Sequence, residues 1–351
     1  MTSEPGHKFH DLVVARIIEE TADACSVVFE IPEGLKKAFS YRPGQFLTLK
    51  IPYQGKTLLR CYSLASSPDC DREHKVTVKR VDGGRISNWI NDELREGDTM
   101  SVLVPGGLFT LSEEKSDLLL FSGGSGITPV ISIVKSALVS SSSRIKLVYA
   151  NRDNDSVIFN DELSELAGRY RERFEVVHSL DSIDGFLDAA RVKAHAAGWL
   201  HTEVFICGPG PFMDLVEGVL LDLGVATEGV HVERFESPPD ELDGRSHDPR
   251  ILAAQSRMDV PALLTVHLDG VAHRVPYQRG QTVLGAVKQA GLEPPFNCTD
   301  GFCGCCMATL EEGEVMMVKN DFLSPEDLQE GWVLTCQSCP MSVRLTVRYP
   351  D

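Results

Sequence analysis

Four cysteines near the C-terminus constrain this chain more than any other feature. Cys298, Cys303 and Cys306 stand in C-x4-C-x2-C spacing, and Cys336 follows further along. Three thiolates from one short loop and a fourth from a separate segment suit a compact [2Fe–2S] cluster. Gly301 and Gly304 lie inside the loop, where a backbone without Cβ atoms can curve in close and turn N–H groups toward sulfur. A rival pattern shares these residues. Cys303-x2-Cys306 with Cys336-x2-Cys339 also reads as the paired C-x2-C of a zinc ribbon. Zinc would leave Cys298 and both glycines without a role, so the cluster is favoured, with Cys305 and Cys339 as bystanders.

Ten cysteines in 351 residues raise the question of redox compartment. The N-terminal MTSEPGHKFHDL has no basic region leading into an apolar run, so no signal peptide is expected. The most apolar stretch, 118–138, is interrupted by Gly123, Gly124, Gly126 and Pro129, so no membrane span is expected either. The expectation is a cytoplasmic protein whose thiols stay reduced and serve metal or redox chemistry rather than a disulfide framework. A formal charge of −17 argues against nucleic acid and against anionic membrane surfaces, both of which demand a basic face.

The chain has three textures. Residues 8–112 alternate in short strands (12–18, 26–31, 46–51, 59–63, 75–81, 99–104) separated by Pro-Gly and Gly-Gly turns, which predicts a closed antiparallel β-barrel. Over 113–236 strands and helices alternate, which predicts an α/β domain with a parallel sheet covered on both faces. Residues 237–260 have little periodicity and contain Pro238-Pro239, Asp240, Glu241, Asp243 and Gly244, so they read as an exposed linker. Residues 261–351 form a small unit with a hairpin around Asp269-Gly270, a helix at 283–290, the cysteine loop and a closing strand at 343–349. The stretch Phe296-Asn297-Cys298, Cys303-Gly304, Glu312-Gly313 and Leu334-Thr335-Cys336-Gln337-Ser338 resembles the plant-type ferredoxin family, which implies a β-grasp fold.

Arg60-Cys61-Tyr62-Ser63 sits on a predicted barrel strand, with Arg60 and Tyr62 on one face and Ser63 on the other. An arginine fork suits a pyrophosphate, a tyrosine ring suits a flat isoalloxazine, and a serine hydroxyl can reach a flavin N5. Four such residues also fit an ordinary edge strand. Their neighbours, Pro43-Gly44-Gln45-Phe46 upstream and Gly84-Arg85-Ile86-Ser87-Asn88-Trp89 downstream, give an order that resembles the ferredoxin–NADP reductase superfamily. That resemblance implies FAD held by Arg60, Tyr62 and Ser63, with Lys79 nearby and Gly84, Ile86 and Ser87 at the pyrophosphate. Trp89 is assigned to packing.

Gly123-Gly124-Ser125-Gly126-Ile127-Thr128-Pro129 follows a strand and opens a helix, with Thr128 read as N-cap and Pro129 as the first helical residue. Such a loop lets backbone approach a phosphate, but it also fits a plain strand-to-helix turn. Cys207-Gly208-Pro209-Gly210-Pro211-Phe212-Met213 ends another strand, and ligands of open α/β sheets bind beyond the carboxyl ends of strands. Together the two motifs resemble the NAD(P) pair of the same superfamily. The likeness implies cofactor contacts from Gly123, Gly124, Gly126, Thr128, Cys207, Gly208, Pro209 and Met213. It implies catalytic positions at Ser63, Cys207 and Phe235. In Asn151-Arg152-Asp153, Arg152 could pair a 2′-phosphate, whereas Asp153 and Asp155 would repel one, so NADH is expected over NADPH.

Hydride arrives as two electrons and the cluster takes one, so a flavin belongs between them. Nearly the whole chain resembles oxygenase reductases with a C-terminal ferredoxin, most of all the group serving 3-ketosteroid 9α-hydroxylases, on stretches such as Tyr41-Arg-Pro-Gly-Gln-Phe46, Val76-Thr-Val-Lys-Arg80 and Ser156-Val-Ile-Phe159. The resemblance implies a monomeric NADH-dependent reductase feeding a Rieske-type terminal oxygenase of steroid catabolism. Phenylacetyl-CoA epoxidase reductases share the domain order and stay open as an alternative, as does a reductase serving several oxygenases. A zinc-stabilised nucleotide-binding sensor is the remaining, non-enzymatic, alternative.

Overall fold

A computed structural model describes residues 9–112, 116–235, 249–256 and 259–350. The first unit contains β1 (Phe9–Thr21), β2 (Ala24–Glu30), β3 (Phe46–Tyr53), β4 (Lys56–Ser63), β5 (His74–Lys79), helix α1 (Arg85–Asp92) and β6 (Thr99–Leu103). The strands form one antiparallel sheet in the order β4-β3-β6-β1-β2-β5. A bridge between Leu64, just past β4, and Val76 of β5 joins the two outer strands and closes the barrel. Alternate residues Leu12, Val14, Val27, Leu47, Leu49, Val76, Val78 and Val102 fill it, and α1 plugs one end with Ile86 and Ile90.

The second unit contains β7 (Leu118–Gly123), α2 (Ile127–Ser140), β8 (Ile145–Asn151), α3 (Asn160–Arg169), β9 (Phe174–Leu180), α4 (Asp181–Asp184), α5 (Ala189–Ala196), β10 (Glu203–Cys207), α6 (Gly210–Asp222) and β11 (Val230–Glu233). Its sheet is wholly parallel, in the order β11-β10-β7-β8-β9. Successive residues of β7 serve opposite faces. Leu118 and Leu120 pack with Ile127 and Ile131 of α2, while Leu119 and Phe121 pack with Val192 of α5 and Val216 of α6. Buried polar contacts fix this unit on the barrel. Ser132 Oγ donates to Ser66 O at 2.6 Å, Ser67 and Ser136 share a hydroxyl contact of 2.7 Å, and Lys135 reaches Asp71 at 2.6 Å and Glu162 at 2.5 Å.

The expected linker is corrected in part. Residues 236–248, 257 and 258 lie outside the described residues, but 249–255 form a helix, α7 (Pro249–Gln255). Ile251 and Gln255 are buried. Gln255 Nε2 donates to Tyr277 Oη at 2.9 Å and to Pro340 O at 2.7 Å, and Gly280 N donates to Gln255 Oε1 at 2.9 Å. This stretch is therefore packed structure rather than exposed tether.

The third unit contains β12 (Leu263–Leu268), β13 (Val271–Pro276), α8 (Val283–Gln289), β14 (Met307–Glu312), β15 (Val315–Met317), α9 (Pro325–Gln329), β16 (Trp332–Leu334), β17 (Ser338–Pro340) and β18 (Thr346–Arg348). The main sheet runs β13-β12-β18-β14-β16, and β15 pairs with β17 apart from it. The last strand lies in the middle, parallel to β12 and antiparallel to β14, and α8 packs over the sheet through Val283, Ala286 and Val287, a β-grasp arrangement.

Candidate functional site

Two loops meet at the carboxyl ends of β7 and β10, which are adjacent with Ser122 opposite Cys207. A Cβ on Gly126 would lie 2.2 Å from Cys207 O and 2.7 Å from Gly208 N, and one on Gly208 would lie 3.0 Å from Gly123 N. Only glycines allow these backbones to touch. Tyr149, a buried residue of β8, donates its hydroxyl to Gly124 O at 3.0 Å and holds the loop. The helix start differs from the sequence expectation. Gly124–Gly126 tighten into a 3₁₀ turn, α2 begins at Ile127, and Gly126 is the N-cap. Thr128 is the second helical residue, its hydroxyl donating to Ser125 O at 3.1 Å. Met213 is buried in the core beneath the second loop, and Pro209 caps α6.

The face of β4 that carries Leu59, Cys61 and Ser63 gathers all three units. Ser63 is buried, and its hydroxyl donates to Glu233 Oε2 at 3.2 Å, bridging barrel and nucleotide unit. Glu233 ends β11 directly opposite Cys207. Burial pushes the Glu233 carboxyl up to about 8, against the opposing pull of the Ser63 hydroxyl bond. Burial, then the nearby Glu233 carboxylate, pushes the Cys207 thiol well above its ordinary range. Glu233 is the functional candidate that sequence reasoning missed; its one signal was its position two residues before Phe235. Phe235 itself is exposed at the end of the described segment.

On the other face of β4, Tyr62 packs on the barrel core, and Arg60 Nη1 donates to Leu59 O at 2.7 Å. At α1, Gly84 is the N-cap, Ile86 is buried in the barrel, and Ser87 Oγ accepts from Val81 N at 3.2 Å. Lys79 and Arg152 converge on Asp23, in the turn between β1 and β2, at 3.8 Å and 2.9 Å. Lys79 Nζ also lies 3.9 Å from where a Cβ of Gly124 would stand, at the edge of the glycine loop. Asp153 turns away from Arg152 to cap the following 3₁₀ turn through Ser156 N at 2.9 Å.

The four predicted cluster ligands come together as two thiol pairs, Cys298 against Cys303 and Cys306 against Cys336, all buried. Two pairs of sulfurs fit two irons, and an isolated zinc would need four sulfurs on one centre. Cys298 N and Asp300 N point at Cys303 Sγ and Cys298 Sγ, both at 3.4 Å. Gly304 has φ +70, and a Cβ there would strike the Phe322 ring at 2.4 Å. Cys305, expected as a bystander, is drawn into a second sulfur group. The sulfurs of Cys61, Cys303 and Cys305 lie within 4.8 Å of one another across the boundary between barrel and third unit. Burial acts to raise the Cys61 thiol, but hydrogen bonds with Cys303, Cys305 and Thr48 hold it well below its ordinary value. Around them Phe46 and Leu59 of the barrel pack with Cys298 and Phe302, and the rings of Phe46 and Phe322 are 6.1 Å apart.

Comparison with known proteins agrees with this layout. Residues 11–111 match the oxidoreductase FAD-binding domain, 120–218 the oxidoreductase NAD-binding domain, and 266–341 the 2Fe-2S iron-sulfur cluster binding domain. The chain is similar to the 3-ketosteroid-9-alpha-monooxygenase ferredoxin reductase component of Rhodococcus rhodochrous, 45% identical over 346 residues and 96% of each chain. It is also similar to a component of the 1,2-phenylacetyl-CoA epoxidase of Escherichia coli K12, 32% identical over 97% of this chain and 98% of that one. Phthalate dioxygenase reductase has the same fold, with a TM-score of 0.58 and 22% identity over 97% of this chain and 98% of that one. This chain belongs to the ferredoxin–NAD(P) reductase superfamily, to the oxygenase reductases that carry a C-terminal [2Fe–2S] ferredoxin domain, and is an NAD(P)H-dependent oxidoreductase.

Proposed function

We propose that this reductase takes its electrons from NADH and delivers them to a Rieske-type terminal oxygenase acting on a 3-ketosteroid. The observation that carries the electron path is the single face of β4, where Ser63 meets Glu233 of the nucleotide unit and Cys61 meets the cysteine loop. Two residues along a strand span roughly 7 Å, so the hydride end and the cluster end are neighbours. The oxygenase and steroid assignments are supported by the Rhodococcus relative's name at 45% identity. The epoxidase relative at 32% supports a second reading, with a different acceptor for the same chemistry. We place the domain limits at 8–112, 113–236 and 261–351, and take the working form to be a cytoplasmic monomer.

When bound, nicotinamide supplies hydride, FAD accepts the electron pair and the [2Fe–2S] cluster carries electrons singly. The chain's own task is to bind, align and keep water out. We assign Arg60, Gly84, Ile86 and Ser87 to the FAD pyrophosphate and Tyr62 to stacking on the ring. Gly123, Gly124 and Gly126, with Cys207, Gly208 and Pro209, would shape the nicotinamide nucleotide cradle, and Phe235 would cover the ring. Thr128 and Met213 act from behind, setting the start of α2 and seating α6. Glu233 holds a proton at its carboxyl near neutral pH and positions the Ser63 hydroxyl at the ring nitrogen. Cys298, Cys303, Cys306 and Cys336 would hold the cluster as thiolates. NADH is favoured because Asp23 already neutralises Arg152, the residue a 2′-phosphate would need.

Reconstitution tests the partner. The reductase is combined with a 3-ketosteroid oxygenase and, separately, with a phenylacetyl-CoA epoxidase, and hydroxylated or epoxidised product per NADH is counted. Coupled turnover with the steroid enzyme is expected. Turnover with the epoxidase alone would overturn the steroid assignment.

A further inference from the structure

The turn that follows β6, Pro105-Gly106-Gly107, is used by neither the flavin motif nor the nucleotide motifs, yet it lies where the barrel meets the third unit. It is tied to the start of β3. Phe46 N donates to Gly106 O at 3.0 Å, and Gly106 N donates to Phe46 O at 3.1 Å. Each of its two glycines seats an aromatic ring. A Cβ on Gly107, whose φ is +109, would lie 2.8 Å from the ring of Phe46. A Cβ on Gly106 would lie 2.2 Å from Cε2 and 2.6 Å from Cζ of Phe322, which belongs to the third unit. The two rings are 6.1 Å apart and tilted by 39°.

The opposite edge of the Phe322 ring presses on the cysteine loop. A Cβ on Gly304 would lie 2.4 Å from both Cε1 and Cζ and 2.8 Å from Cδ1. The ring is therefore gripped between a barrel glycine and a cysteine-loop glycine, and its width sets the gap between those two backbones. The third unit holds the ring ready. Asn320 Oδ1 accepts from Phe322 N at 3.3 Å and from Leu323 N at 2.8 Å, and Asn320 Nδ2 donates to Leu323 O at 2.9 Å. Asp321 N donates to Gly301 O at 3.0 Å, and Lys319 Nζ reaches Asp300 at 2.6 Å and Asp321 at 3.2 Å. All of these bonds stay within the third unit, so the ring is presented to the barrel already positioned. A preorganised aromatic side chain seated in a fitted slot is the kind of anchor that dominates an interface.

We infer that Phe322 and Gly106 form a docking latch, which seats the ferredoxin unit on the FAD barrel at the spacing that electron transfer from flavin to cluster requires. This rests on the flavin and cluster assignments proposed above. In the step the latch serves, one electron leaves the reduced flavin and reduces one ferric iron of the cluster to ferrous, and no bond forms or breaks. Position is then all that the protein must supply. The latch touches neither glycine loop at the ends of β7 and β10, so it bears on electron exit and leaves hydride entry alone.

The test is a double-mutant cycle on the whole holoprotein. Gly106→Ala sets a methyl group against Cε2 and Cζ of the ring. Phe322→Leu removes the ring atoms beyond Cδ, so the double variant fits the new methyl into the vacated space. Flash photoreduction of the flavin starts the electron transfer without hydride transfer, and absorbance follows the cluster. Stopped-flow reduction of the flavin by NADH is measured beside it. Gly106→Ala is expected to reduce its flavin at the native rate and its cluster about tenfold more slowly, the equivalent of about 1.4 kcal/mol, within the range for overpacking. The double variant is expected to recover most of that rate. Small-angle X-ray scattering reads the latch without turnover. Gly106→Arg, which fills the slot with a solvated side chain, is expected to raise the radius of gyration of the oxidised protein. Cluster reduction at the native rate in Gly106→Ala overturns the inference, as does a double variant no faster than Gly106→Ala, or an unchanged radius of gyration in Gly106→Arg. Flavin reduction slowed as much as cluster reduction also overturns it, because Gly106 would then serve the barrel rather than the contact. A native protein whose flavin is reduced but which carries no [2Fe–2S] signal would instead refute the cluster assignment beneath it.

Discussion

Replacing Gly126 by alanine adds one methyl group where two backbones already touch. Its φ is negative, so alanine can adopt the local conformation and the effect is steric. The new Cβ would stand 2.2 Å from Cys207 O, 2.4 Å from Cys207 C and 2.7 Å from Gly208 N, all backbone atoms of the facing loop. To reach even a 3.0 Å contact the loops must part by about 0.8 Å, and they are fastened to β7 and β10, which are bonded neighbours. Overpacking of this kind costs about 1–3 kcal/mol in stability. The kinetic effect is larger in proportion, because a misplacement of about 1 Å at a reacting centre costs on the order of 100-fold. The assay is stopped-flow reduction of bound FAD by NADH without oxygen. Gly126→Ala should keep its FAD, held by the barrel, and lose on the order of 100-fold in the rate constant for flavin reduction per NADH concentration, about 2.7 kcal/mol. Gly218→Ala, in α6 with nothing within 4 Å of the added methyl, is the control and should reduce flavin at the native rate. A folded Gly126→Ala protein within threefold of native would refute the view that contact of these loops sets the hydride geometry.

Two further perturbations follow from charges the structure brings together. Glu233 has a folded value of about 8 against about 4.5 for a free glutamate, so the folded state binds the extra proton between these values. Its contribution to stability is complete below about 4.5 and is lost as pH rises through 8. Melting temperatures from pH 5 to 9 should therefore fall more steeply for the native protein than for Glu233→Gln, and parallel curves would count against a buried, protonated carboxyl. Removing the carboxylate that occupies Arg152 and Lys79, in Asp23→Ala, should raise the ratio of kcat/KM for NADPH over NADH by about tenfold; an unchanged ratio would mean that Asp23 does not screen the 2′-phosphate position.

What the sequence disclosed was local. The cysteine loop, the Arg60-Cys61-Tyr62-Ser63 strand and the Gly123–Gly126 turn each compress their chemistry into a few consecutive residues, so spacing alone makes them legible. The parallel sheet was legible for a similar reason, since β7, β8, β10 and their helices announce themselves by period. What escaped depends on distant residues meeting. Glu233 looks like an ordinary strand-end carboxylate until Ser63, far away in the chain, is seen to donate to it. Cys61 looks like a spacer between two flavin residues until Cys303 and Cys305 are placed against it. Arg152 looks free to greet a phosphate until Asp23 arrives from the barrel. Helix α7 escaped because seven residues carry too few turns to display a period, and its anchor Gln255 is defined by Tyr277, Gly280 and Pro340. The residue types suggest a cap at Thr128, but Gly124–Gly126 form a 3₁₀ turn that starts the helix earlier, and the close approach of Gly126 to Cys207 and Gly208 is visible only once β7 and β10 are side by side.

On the proposed assignment, electrons from NADH reach a cluster held by Cys298, Cys303, Cys306 and Cys336 through a flavin in the same chain. An anaerobic titration of the purified holoprotein with NADH, followed by visible absorbance and EPR, tests it most directly. FAD takes two electrons and the cluster one, so bleaching should be complete at about 1.5 NADH per chain, with the EPR signal of a reduced [2Fe–2S] centre appearing alongside flavin reduction. A titration that ends at about 1.0 NADH with no such signal, or a protein that carries zinc in place of iron and sulfide, would contradict the account.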